Sequence, residues 1–432
     1  MNRYKQYPKY RDSGVEWLGD IPKHWGSSRL KFLCNITTGG KDTENKVDDG
    51  KYPFYVRSQT VERINSYSFN GEAILTAGDG VGVGKVFHYA KGKFDFHQRV
   101  YMFYAFNQVI GKFLFEYIKN NFYKVALAGV AKSTVDSLRL PLIQNFMITV
   151  PPLQEQQTIA NYLDKATAKI DTLIEKQTKL IELLREKRQA VISTAVTRGL
   201  DNTVAMKDSG VEWLGEIPEH WTRSKLGYET RVKARLGWKG LKAEEYVEDG
   251  FIFLATPNIK DNEIDFVNVN YITEVRYKES PEIKLELGDV LVTKDGSTTG
   301  TTNVVRVLPK PATVNSSIAV IRPNNKLYSI FLYYYFISTY IQETINLLRG
   351  GMGVPHLFQA DLRFFNILLP SYREQKNIAD YLDDKTSKID TLITKSTKAI
   401  DLLKEKRTAL ISAAVTGKIK VNDESQREHP GV

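Results

Sequence analysis

The sequence predicts an α+β protein: two globular mixed α/β domains joined by two long coiled-coil helices, all related as a pseudo-twofold internal repeat. Three observations predict it. Residues Glu155 to Ile174, EQQTIANYLDKATAKIDTLI, return as Glu374 to Ile393, EQKNIADYLDDKTSKIDTLI, with 14 of 20 positions identical at an offset of 219. A second motif, SGVEWLGDIPKHW from Ser13 to Trp25, returns as SGVEWLGEIPEHW from Ser209 to Trp221, with 11 of 13 identical at an offset of 196. Between each box and its helix lies a segment of short strand-like runs that differs between the copies. Internal repetition of this kind folds as repeated units about an approximate symmetry axis.

Taken in order, the first domain covers residues 1–150 with its box at 13–25, and a long helix follows over 151–200. The second domain covers 201–369 with its box at 209–221, a second long helix 370–420, and a polar tail 421–432 that is expected to be disordered. Each box places two tryptophans, Trp17 and Trp25 or Trp213 and Trp221, around a glycine and an Ile-Pro turn. Large aromatics in such a stretch are read as packing anchors, with partner docking as the sharper alternative.

In the first variable segment, residues 51–56, 71–78, 84–90, 99–106 and 145–152 read as strands and 109–127 as an amphipathic helix. The second follows the same plan, with strands at 251–259, 288–296, 301–307, 316–323 and 363–370 and a helix at 329–348. GEAILTAGDG and LGDVLVTKDG read as one element in two copies. Divergence is concentrated in these segments, so the two scaffolds do one job and the variable segments do two different ones.

In the first long helix Leu163, Ala166, Ile170, Leu173, Leu180, Leu184 and Val191 alternate in steps of three and four, with Gln177 and Lys187 filling the gaps. Leu382, Ile389, Leu392, Ala399, Leu403 and Leu410 keep the register in the second. A seam of about four heptads calls for a helical partner, and the other copy is the simplest one. A single helix of this length also suits an ordinary bundle; its duplication argues for the pair. At ~1.5 Å per residue, Gln154 to Thr197 would make a rod of ~66 Å.

The 432 residues suffice for two or three domains with cores of their own. A single cysteine, Cys34, excludes an internal disulfide framework and suits a reducing cytosol. No apolar run is long enough to span a bilayer and the N-terminus has no signal-peptide pattern, so a cytoplasmic protein without a membrane role is expected. A net charge of +10 points to a polyanionic partner. Residues 26–150 carry 16 basic and 10 acidic side chains against 18 and 16 in residues 222–369, so the excess lies partly in the first variable segment.

The search for chemistry ends without a catalytic constellation. GDGVGVGK (78–85) has Asp79 where a P-loop needs glycine and Val86 where it needs Ser or Thr. It reads as a flexible loop whose amides and Lys85 could meet a DNA phosphate. Val-Pro-Pro-Leu (150–153) shares only its prolines with the Asn/Asp-Pro-Pro-aromatic signature of adenine methyltransferases. None of the six histidines has metal-ligand spacing, so no metal site is expected. What remains are turn-like stretches carrying groups that reach base edges: His97, Gln98 and Arg99; Lys132, Ser133 and Thr134; Lys294, Ser297, Thr298, Thr299 and Asn303; and His356. Each of these could equally be an ordinary turn residue.

The doubled boxes and the doubled Glu-Gln-x-x-Ile-Ala-x-Tyr-Leu-Asp helix openings resemble the specificity subunit of type I restriction-modification enzymes, over residues 13 to about 416. The second copy departs slightly, with Ser371 and Tyr372 in place of Pro152 and Leu153. The resemblance implies two target recognition domains, each reading half of a split, asymmetric sequence in double-stranded DNA. It implies an antiparallel helix pair that fixes the gap, two modification subunits docked along helices and boxes, and restriction subunits beside them. The subunit itself would be non-catalytic and bind no cofactor; S-adenosylmethionine, ATP and Mg would act on the partner subunits. A coiled-coil structural adaptor without DNA readout is the competing expectation from another class.

Overall fold

The helix patterns and the turn-punctuated strand runs are realised as 21 strands and 10 α-helices among the described residues of a computed structural model, which describes residues 5–126, 138–211, 214–234, 241–348 and 356–421. Its packing separates into two units, one holding the chain up to Thr178 and from Thr397 onward, the other Lys179–Ser396. The first long helix, Leu153–Arg198, and the second, Tyr372–Val415, therefore each contribute one half to either unit.

In the first unit a six-stranded sheet runs in the order Asn35–Thr38, Val100–Tyr104, Phe69–Ala77, Phe87–Phe96, Tyr52–Tyr55, Glu62–Ile64. Tyr52–Tyr55 lies parallel to Phe87–Phe96, whereas the other pairs are antiparallel. One face packs on the Gly111–Asn121 helix through Phe103, Phe113, Tyr117 and Phe146. The second unit keeps this strand order but divides it into a four-stranded and a three-stranded sheet. The counterpart of Phe87–Phe96 is cut into Thr302–Val304 and Ala312–Val314. Pro309 and Pro311 stand in the cut, where proline has no N–H to donate to a ladder. The single helix expected over 329–348 is likewise two, Ser329–Phe336 and Thr339–Leu348. Ser338 donates its hydroxyl to Tyr335 O at 2.6 Å, a side-chain bond that competes with the helical ladder at the break.

Within each unit the two long helices run antiparallel. Arg407 pairs with Asp171 in the first unit, and Arg188 with Asp390 in the second, both at 2.9 Å. Offset by 219, these are one ion pair in two copies. Of the expected seam, Leu163, Ile170, Leu184, Leu382, Ile389 and Leu410 are buried, and Val191 and Leu403 half-buried. Leu173, Leu180 and Leu392 are not in the seam: they are 47%, 42% and 49% exposed. Their neighbours Ile174, Ile181 and Ile393 are half-buried instead. Two adjacent apolar residues lie about 100° apart on a helix of 3.6 residues per turn, so heptad spacing alone allows either one to face inward.

The repeated motifs meet at a joint. Glu155, in the first turn of its helix, accepts hydrogen bonds from Trp25 Nε1 at 2.9 Å and Tyr7 Oη at 3.2 Å, and lies 2.7 Å from His24 Nε2. Glu374 meets Trp221 Nε1 at 2.9 Å and His220 Nε2 at 3.1 Å. The adjoining Gln156 is fully buried: its Oε1 accepts from Ile110 N, and its Nε2 donates to Gln108 O and Pro151 O. Gln375 repeats this with Tyr328 N, Lys326 O and Pro370 O. Glu-Gln thus locks box, helix start and variable domain together. Trp17 stacks on Phe146 at 5.6 Å, a packing anchor as expected; Trp213 lies outside the described residues. Gln156→Leu is expected to cost about 1–3 kcal/mol for each backbone group left buried and unpaired, read by equilibrium urea unfolding. A cost below the error of that measurement would mean that water replaces the amide.

Candidate nucleic-acid interface

Both variable domains end a central strand in a loop of the same backbone form. After Phe69–Ala77 comes Gly78-Asp79-Gly80-Val81-Gly82, with Asp79 extended, Gly80 at φ +73° and Gly84 at φ +68°. After Val290–Thr293 comes Lys294-Asp295-Gly296-Ser297-Thr298, with Asp295 extended, Gly296 at φ +78° and Gly300 at φ +92°. Left-handed backbone at both ends of the loop favours glycine there. The surroundings match as well. Gly78 N donates to Arg99 O at 2.8 Å, as Lys294 N does to Ser317 O at 2.7 Å. Arg99 N donates to His97 Nδ1 at 2.9 Å, as Ser317 N does to Asn315 Oδ1 at 3.1 Å. The frame is common, and the side chains it displays are not.

In the first unit the frame displays cations. Asp79 receives Arg57 Nη1 at 2.8 Å and Arg99 Nη1 at 2.6 Å. Burial alone would raise its carboxyl, but the hydrogen bonds and charges of Arg99 and Arg57 outweigh that and hold it below the usual carboxylate range. The Arg57 and Arg99 side chains stay 41% and 60% exposed. Val81 projects at the tip, 90% exposed, with Lys85 exposed beside it. Gln98 is exposed and donates to Asp42 at 2.6 Å. His97 differs from expectation: it is 2% exposed, its ring orders the backbone of Arg99, and it does not reach the surface. Desolvation, and then the charge of Arg57, lower its pKa.

In the second unit the loop tip carries hydroxyls, with Ser297 and Thr298 exposed. Asp295 pairs with the exposed His356, whose ring lies 4.3 Å from that of Phe358. Lys294 is largely buried, and desolvation lowers its pKa. Thr299 and Asn303, expected among the reaching groups, are buried instead. Thr299 donates to Gly296 O, and Asn303 bridges Lys260 O and Val304 N, so both brace the loop and strand from beneath. Lys132, Ser133 and Thr134 lie outside the described residues. Arg57 was absent from the sequence candidates; only a strand pairing unreadable from spacing brings it to Asp79.

Other groups serve the frame. A cleft of about 590 Å³ in the second unit is lined by Arg188, Arg306, Tyr333 and Asp383, but its arginines are committed to Asp390 and Asp383. Asp164, the repeat counterpart of Asp383, holds Lys112 at 3.0 Å in the first unit. Burial pushes the Cys34 thiol up to about 12. Among the described residues no group of three His, Cys, Asp or Glu side chains could hold a metal, and no helix is long and apolar enough to cross a membrane.

Comparison with known proteins bears on what such a paired frame is for. The family model for a type I restriction modification DNA specificity domain matches twice, at residues 22–183 and 239–402. Similar proteins include the type I restriction enzyme MjaVIII specificity subunit of Methanocaldococcus jannaschii, 25% identical, with 93% of this chain and 95% of that one covered. The type I restriction enzyme EcoDI specificity subunit of Escherichia coli is 27% identical over 50% of this chain and 51% of its own. Among solved structures, the HsdS subunit from Thermoanaerobacter tengcongensis aligns with a TM-score of 0.53 at 17% identity, over 92% of this chain and 98% of that one. A chain from a study of complex assembly and conformational transition in the type I R-M system aligns with a TM-score of 0.64, again at 17% identity, over 91% and 98%.

Proposed function

The chain belongs to the type I restriction-modification DNA specificity family, and from that premise we propose that it is the non-catalytic subunit that reads the DNA target for a methyltransferase and nuclease complex. Each variable domain reads one half of a bipartite, asymmetric sequence, and the helix pair sets the gap between the halves. The observation that carries this reading is the doubled loop frame, one backbone form with Val81 at its tip and Arg57 and Arg99 against its aspartate in one copy, and Ser297 and Thr298 at its tip and His356 against its aspartate in the other. A duplicated scaffold with unlike tips is what two unlike half-sites require. Two readers on one chain bind bivalently, so the second half-site is met at high effective concentration once the first is engaged.

Two modification subunits would supply S-adenosylmethionine and methylate adenine at N6 after flipping it from the duplex. Restriction subunits, with ATP and Mg, would complete the nuclease in the cytoplasm. Exposed leucines recur on the helices at repeat-related places, Leu173 with Leu392 and Leu183 with Leu402. Exposed apolar groups in register twice are suited to two copies of one partner. Leu183→Asp together with Leu402→Asp is expected to weaken capture of the modification subunit at least tenfold in pull-down titration, since a charge buried in an interface is costly. Undiminished capture would move the docking surface elsewhere.

The test of the function is co-expression with the cognate modification subunit and mapping of N6-methyladenine across the host genome. A split, asymmetric motif with a fixed gap is expected. No methylation, from a complex shown to assemble and to bind S-adenosylmethionine, would favour the structural adaptor.

A further inference from the structure

The two loop frames correspond position by position. Ser317 stands where Arg99 does, by the shared bonds of its carbonyl and its N–H. Thr256 stands where Arg57 does: each lies two residues past a strand carbonyl, Leu254 O or Tyr55 O, that accepts from Asn315 N or His97 N. At these two positions the first variable domain carries a pair of guanidiniums and the second carries two hydroxyls.

A guanidinium has five N–H donors and no acceptor. The Arg57 and Arg99 side chains each spend one Nη on Asp79 and have no other hydrogen-bond partner among the described residues, so each guanidinium keeps a donor edge to offer. Two acceptors matching that edge are a phosphate or the O6 and N7 of guanine in the major groove. Asp79 favours the second. Its carboxylate, within 2.8 Å of both cations, offsets one of the two positive charges and so weakens the pull on a phosphate, whereas hydrogen bonding to a neutral base edge depends little on that net charge. The same carboxylate holds the guanidiniums in place before binding, which lowers the entropy lost on contact. Close backbone approaches fix the loop that carries it. A Cβ on Gly78 would come 2.9 Å from Arg99 O, and one on Gly82 would come 2.6 Å from Arg57 O.

We propose that Arg57 and Arg99, positioned by Asp79, read guanine in the half-site of the first variable domain, and that the equivalent place in the second domain does not read guanine through arginine. This rests on the DNA-reading function proposed above.

The experiment uses the complex of the full chain with its modification subunit, once the methylated motif is known. Duplexes carrying 7-deazaguanine at each guanine in turn lack the N7 acceptor. With the wild-type chain, at least one such duplex in one half-site is expected to bind roughly 5- to 150-fold more weakly. In Arg99→Lys or Arg57→Lys, which keep the charge but not the fork, that penalty should largely vanish because the unmodified duplex is already weakened. The other half-site should respond as in the wild type. Asp79→Asn should weaken the same guanine without touching other positions. A motif without guanine in either half-site, no penalty from 7-deazaguanine, or lysine variants that bind every duplex as the wild type does would each overturn the inference. The wild-type measurement needs no variant to fold. A complex with no sequence preference at all would instead overturn the function on which the inference rests.

Discussion

Trp221→Ala is expected to lower the unfolding free energy of the unit that contains it by about 3–5 kcal/mol, the cost of truncating a fully buried large aromatic. Trp221 is 0% exposed and packs with Ile192, Ile217, Phe365 and Ile378, drawn from both long helices, the box and the variable domain. Its Nε1 donates to Glu374, and Gly199, at φ +77°, sits so close to the ring that a Cβ there would lie 3.3 Å from it. Truncation opens a cavity and removes a donor from Glu374 at once. Trp25 occupies the same place in the first unit, against Gly417. Equilibrium urea unfolding should resolve the loss as an earlier transition for one unit with the other unchanged. A loss below about 0.5 kcal/mol, the range of ordinary surface changes, would mean that the box is peripheral.

Deleting one heptad from each long helix, at facing positions, is expected to shorten the gap in the methylated motif while leaving the specified bases the same. Seven residues at 1.5 Å each remove ~10.5 Å of helix, or about 3 base pairs at 3.4 Å per step. A whole heptad keeps the seam in phase, so Leu163, Ile170, Leu382 and Ile389 retain their inward face. The repeat-related pairs Arg188–Asp390 and Arg407–Asp171 report whether the register survives, since the charge reversal Asp390→Arg should be rescued by Arg188→Asp. Methylome mapping reads the gap directly. An unchanged motif in a variant that assembles would sink the idea that the helix pair is a ruler.

The sequence by itself determined the plan of this protein. Two near-identical boxes and two closely similar helix openings announced the repeat, because packing joints such as Trp25–Glu155 and Trp221–Glu374 demand the same residues wherever they recur. The equivalence of the Asp79 and Asp295 loops was legible too, since left-handed backbone calls for glycine at fixed places. Which residues serve the loops was not. Arg57 and Arg99 are 42 positions apart, and only the parallel pairing of Tyr52–Tyr55 with Phe87–Phe96 brings them to one carboxylate. His97, Thr299 and Asn303 look like reaching groups in one dimension and are buried braces in three. The helix seam failed in the same way at Leu173, Leu180 and Leu392, where an equally apolar neighbour offered the alternative. Local periodicity says that a helix has an apolar side; which of two adjacent side chains is covered depends on a partner hundreds of residues away, and that is a property of the tertiary structure alone.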